Sequence, residues 1–184
     1  MSAVTNTAQP TRTRDLAFIA MMAALTAICA WITVPFSIVP FTLQTFAVFL
    51  VTGLLGLKCG TLSVAVYLLL GAVGAPVFAG FSGGVGPLLG PTGGYLAGFL
   101  FTGLLYWAIT AKLGESLPVK LVALILGLAV CYAFGTLWFL KVYTDPITVR
   151  ATLMMCVIPY IPVDAVKLAL ALVISQRVGK AIKV

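Results

Sequence analysis

From Leu16 to Leu57, and again from Cys59 to Ala111, this chain carries no charged side chain. Soluble domains carry charge at about a quarter of their positions, so runs this long cannot cover a water-exposed surface. Over all 184 residues the charged share is 8% and the hydrophobic share 62%, with a mean hydropathy of +1.18. Each helical crossing of a bilayer takes about 20 apolar residues, and six such runs can be drawn. The expectation is an all-α membrane protein.

The first span runs roughly from Asp15 to Val34 and stops before Pro35. The others run from about Phe41 to Leu57, Gly60 to Phe78, Gly93 to Ala111, Val119 to Val142, and from near Pro162 to about Gln176. Residues 1–14 are polar and basic, with no apolar core and cleavage site, and read as a cytosolic tail. Residues 15–184 then form a single six-helix transmembrane domain. With the N-terminus inside, Arg12, Arg14, Lys58, Lys112, Lys120, Arg177, Lys180 and Lys183 fall on the cytosolic side. Only Lys141 and Arg150 fall outside, which is the positive-inside pattern. Both termini are therefore placed in the cytosol. The net charge of +7 follows from this topology. No basic face is interleaved with stacking aromatics, so nucleic acid is not an expected partner.

The chain has no histidine, which excludes Ser-His-Asp triads, HExxH zinc sites and histidine proton relays. Its only acids are Asp15, Glu115, Asp145 and Asp164. Three of them fall near span edges or loops, leaving one carboxylate within the bilayer and no pair for acid–base work. Cys29, Cys59, Cys131 and Cys156 show no CxxC spacing and read as small packing residues. No phosphate-binding GxxxxGK[ST] loop occurs. Neither a catalytic nor a metal-binding set is expected, and the chain is not read as an enzyme.

Two outer loops are unusual. VPFSIVPF, residues 34–41, is apolar with two prolines, and ten of the 18 glycines lie between Gly71 and Gly98. Irregular backbone at membrane depth is tolerated where it packs over a cavity. Glycines let backbone approach a small ligand closely. Helix packing through small residues is the other reading; it suits Gly94 and Gly98 and suits the dense 80–86 stretch poorly. Pro159 and Pro162 interrupt the last apolar run. A helix starting near Pro162 uses a favoured first-turn proline and puts Asp164 where the helix dipole favours negative charge.

Asp164 and Lys167 lie three apart, on one helical face, in the outer half of the membrane. A charge at the centre of a span costs about 2.5–3.5 kcal/mol on the lenient insertion scale. Two readings stand: a structural ion pair pinning the last helix, or a ligand site. Gln44 is open between interhelical glue and pocket lining. Thr42 and Thr45 can bond to backbone carbonyls and carry less information. Tyr95 and Tyr160 are open between aromatic belt and ligand contact. The first span carries small-xxx-small pairs, Ala20 with Ala24 and Ala23 with Ala27, suited to close helix contact within the chain or with a partner.

Three segments carry a family resemblance: VPFTLQTFAVFL, YLLLGAVGAPVFAGFSGGVGPLLGPTGGYLAGF and PYIPVDAVK. In this order they resemble BioY, the biotin-binding S component of energy-coupling factor (ECF) transporters, over most of the chain. The resemblance implies an S-component bundle in the bacterial cytoplasmic membrane that captures biotin from outside with high affinity. It implies as partners a transmembrane coupling protein (T component) and two cytosolic ATPases. ATP is then used only by those partners, and the chain has no cofactor of its own. It also implies transport by toppling of the S component, with the alanine-rich first helix on the coupling protein. The family's paired acid and lysine fall on Asp164 and Lys167, and its glycine-rich segment on residues 80–95. The candidate ligand set is Phe36, Gln44, Phe81, Ser82, Gly83, Tyr95, Tyr160, Asp164 and Lys167. The candidate partner face is Ala20, Ala23, Ala24 and Ala27. The competing functional readings are a small proton-coupled secondary carrier titrating Asp164, an S component for another vitamin, and an intramembrane enzyme.

Overall fold

A computed structural model of the protein describes residues 11–35, 38–144 and 147–182. The chain folds into helices α1 (Thr11–Trp31), α2 (Gln44–Leu55), α3 (Leu57–Ala72), α4 (Val85–Leu89), α5 (Gly93–Leu113), α6 (Leu117–Val142), α7 (Val149–Cys156) and α8 (Ile161–Ile182). Strands β1 (Thr33–Val34) and β2 (Phe41–Thr42) pair antiparallel, with Thr33 opposite Thr42 and Val34 opposite Phe41.

Three helices, α1, α5 and α6, are long and apolar enough to cross a membrane, and α7 with α8 passes the same test as one span bent by 48°. The expectation of six full-length spans is met only in part. At 1.5 Å per residue, the 12 residues of α2 and 16 of α3 reach about 18 and 24 Å, short of the ~30 Å hydrocarbon layer. A single glycine joins them: Gly56, at φ 60, caps α2 and opens α3. α1 begins at Thr11, inside the segment read as a tail, and residues 1–10 lie outside the described residues.

The third helix stops at Ala72, not at Phe78 as expected. Gly74 takes φ +103 and donates to Gly71, while Ala75 donates to Leu70 at 3.0 Å. These two bonds form a Schellman ending that satisfies the last carbonyls, and Pro76 follows it. The first span likewise ends at Trp31, because Thr33 and Val34 enter the β pair. At the other end of the chain, Pro162 does sit in the first turn of its helix, and Asp164 with it.

Glycine sets the α5–α6 contact. A Cβ on Gly98 would lie 2.7 Å from Cys131 Sγ, and one on Gly94 would lie 2.3 Å from Trp138 Cβ. Small-residue packing at Gly94 and Gly98 is thus what the structure uses. The core divides along the bundle. One cluster joins Val39, Val64, Tyr67, Phe78, Tyr95, Leu96, Phe99, Cys131, Cys156 and Tyr160. Another joins Phe49, Leu50, Tyr106, Leu124, Leu168 and Leu172 nearer the opposite end.

Candidate ligand-binding site

The first core cluster is hollow. It lines a partly open cavity of about 170 Å³ between the β1–β2 loop, the glycine-rich segment and the helices α2, α5, α6 and α8. Val39, Phe78, Leu96, Phe99 and Cys131 supply apolar wall. Gln44, Thr45, Ser82, Tyr95, Tyr132, Tyr160, Asp164 and Lys167 supply polar groups.

Asp164 and Lys167 are buried, at 2% and 7% exposure. Lys167 Nζ lies 2.8 Å from Asp164 Oδ1. It also donates to the Thr42 carbonyl at 2.7 Å and to Thr45 Oγ1 at 3.0 Å, which accounts for the three protons of an ammonium. Thr45 in turn donates to Asp164 Oδ1 at 2.8 Å, and the Tyr132 hydroxyl donates to Oδ2 at 2.6 Å. A buried ion pair tolerates desolvation only when its remaining hydrogen-bonding capacity is met. Here β2, α2, α6 and α8 meet it together.

Thr45 and Tyr132 are the residues that sequence reasoning missed. Thr45 was expected to bond to its own backbone; its hydroxyl instead bridges both charges. Thr42 also does more than satisfy itself, since its hydroxyl accepts from Gln44 N and its carbonyl holds Lys167. The signal for Tyr132 is a phenol in the middle of an apolar span, where its O–H needs a partner.

Gln44 serves both of its readings: it lines the cavity and donates to the Tyr67 hydroxyl of α3. Tyr95 and Tyr160 are buried and turned to the cavity, not outward as belt residues would be. The Tyr160 hydroxyl donates to the Val39 carbonyl, and its ring stacks on Phe41 at 4.1 Å. These contacts fasten the first loop to the α7–α8 bend. Ser82 lines the cavity and donates to the Ala79 carbonyl at 2.7 Å.

Other expected residues lie elsewhere. Phe81 is 63% exposed, at φ 56, and stacks on Trp31 with centroids 5.0 Å apart. This holds its ring outside the cavity. Gly83 is also absent from the wall: its backbone is pressed against Ala75, where a Cβ would lie 2.3 Å from the carbonyl oxygen. Its glycine serves loop packing. Phe36 lies outside the described residues. On α1, Ala20 and Ala24 are exposed, whereas Ala23 and Ala27 are buried at 1% and 5% against the rest of the bundle. The helical period splits the four alanines between two faces, so Ala23 and Ala27 are not available to a partner.

Apolar helices packed around a small, partly open cavity with a buried ion pair in its wall define a membrane protein built to hold a solute. The BioY family profile matches residues 3–184, and the chain belongs to that family. The biotin transporter BioY of Thermotoga maritima is 42% identical over 167 residues, covering 91% of this chain and 96% of that protein. The probable biotin transporter BioY of Pyrococcus horikoshii is 38% identical over 166 residues, covering 90% and 96%. Among solved structures, the S-component for biotin from an ECF-type ABC transporter superposes with a TM-score of 0.81 at 31% identity. That match covers 94% of each chain. The family is one of transporters, not enzymes.

Proposed function

We propose that this protein captures biotin at the outer face of the cytoplasmic membrane as the S component of an ECF transporter. The observation that carries this reading is a buried Asp164–Lys167 pair in the wall of a cavity, in a chain of the BioY family. Biotin has two ureido N–H donors, a ureido carbonyl, an apolar sulfur ring and a carboxylate tail. Asp164 accepts from a ureido N–H, and Lys167 donates to the carbonyl or the carboxylate by exchanging one of its protein partners. Gln44, Ser82, Tyr95 and Tyr160 complete the polar contacts, and the apolar wall takes the sulfur ring.

In this reading α1, α2, α3, α5, α6 and the α7–α8 pair form six crossings of one domain, with both termini in the cytosol. The two short helices are accommodated by local thinning of the bilayer. The distribution of lysine and arginine supports this orientation. Ala20 and Ala24 on the outer face of α1 meet the coupling protein, and ATP is hydrolysed by the two partner ATPases.

Isothermal titration of the purified protein without ATP tests the proposal. Saturable binding of biotin, with none of thiamine or riboflavin, is the expected result. No biotin binding, or equal binding of the three vitamins, overturns it.

A further inference from the structure

Asp164 does not offer its two oxygens equally. Oδ1 already receives Lys167 and Thr45, each at 2.8 Å, whereas Oδ2 receives only Tyr132. A carboxylate oxygen accepts about two hydrogen bonds, so the unused capacity lies on Oδ2, beside the Tyr132 hydroxyl. Tyr132 itself lines the cavity.

The surroundings of Tyr132 matter as much as its bond. α2 packs closely along α8, while α6 barely touches α8. Between α6 and α8 runs an open groove lined by Leu121, Ile125, Leu128, Ala165, Leu168 and Leu172, among others. Close backbone packing therefore does not hold α6 in register with Asp164. Among the described residues, the Tyr132–Asp164 bond is the hydrogen bond that joins these two helices.

We propose that Tyr132 is a positioning residue: it holds Asp164 Oδ2 toward the cavity and fixes which carboxylate oxygen the ligand's N–H reads. The inference rests on the biotin reading above. Without Tyr132 the carboxylate is held through Oδ1 alone, Oδ2 loses the partner that sets its direction, and the ligand must then supply the ordering that the protein no longer provides.

The test is the Tyr132→Phe variant, which keeps the ring and removes the hydroxyl. Biotin affinity by titration is expected to fall about 10- to 100-fold, and the ligand-free unfolding midpoint to fall modestly with loss of the bond between α6 and α8. Unchanged affinity overturns the proposal, and so does a lowered midpoint with unchanged affinity, which marks a purely structural role. A second measurement on wild-type protein with ¹³C-carboxyl aspartate covers failure of the variant to fold. Addition of biotin is expected to shift the infrared carboxylate stretch of one ionised aspartate, and biotin binding without such a shift overturns the proposal. If wild-type protein binds no biotin, it is the parent reading that fails.

Discussion

Asp164 and Lys167 commit most of their hydrogen-bonding capacity to Thr42, Thr45 and Tyr132 before any ligand arrives. That arrangement explains how two charges are stable in an apolar bundle, and it separates their structural from their binding role by experiment. Lys167→Ala leaves a carboxylate buried without its cation, a change expected to cost about 3–5 kcal/mol, read by unfolding in detergent micelles. Replacing both residues with apolar ones of similar size, Asp164→Leu with Lys167→Met, is expected to recover most of that stability, because a buried pair is often neutral against apolar replacement. Biotin binding by titration is expected to be absent in the double variant. Retained binding there would assign the pair to pinning α8 alone. Proline spacing in PYIPVDAVK was enough to locate the pair on its helix. The partners Thr45 and Tyr132 were not legible, because they lie 119 and 32 positions away from Asp164 and no local pattern links them.

Helices α5 and α6 meet through glycines, and this contact carries the wall that holds Tyr95 and Tyr132. Gly98→Val is expected to destabilise the bundle by about 1–3 kcal/mol through overpacking, since even a first side-chain atom lies 2.7 Å from Cys131 Sγ. Gly86→Ala is the matched control: nothing lies within 4 Å of the added atom, and a change within about 0.5 kcal/mol is expected. Chemical denaturation of both variants in one detergent makes the comparison. The lengths of α5 and α6 were legible, because an unbroken apolar run fixes them. The ends of α1 and α3 were overrun. Hydropathy stays high past Trp31 and Ala72, while the backbone there turns to a β pair and a Schellman ending. The Gly74–Ala75–Pro76 signal for that ending is in the sequence, but an apolar run masks it.

At the scale of the molecule, the proposed function asks the same bundle to hold a solute in one half and to present a face to a partner. The exposed side of α1 carries Ala20 and Ala24, flanked by Met21 and Ile28. Ala20→Leu with Ala24→Leu is expected to leave biotin affinity unchanged in the isolated protein and to lower uptake at least tenfold in cells holding the coupling protein and ATPases. Unchanged uptake would move the partner surface elsewhere. Scarcity of charge and the spacing of apolar runs determined by themselves that the chain is a helical membrane protein and that an ion pair lies within it. Those properties depend on transfer of each segment between water and lipid, which a sequence encodes locally. Tertiary structure decided which of the eight described candidate residues share a cavity. It turned Phe81 outward and Gly83 into the loop, divided the alanines of α1 between core and surface, and brought Thr45 and Tyr132 to the charges. Each of these depends on which helices become neighbours, and that is settled only when the whole bundle packs.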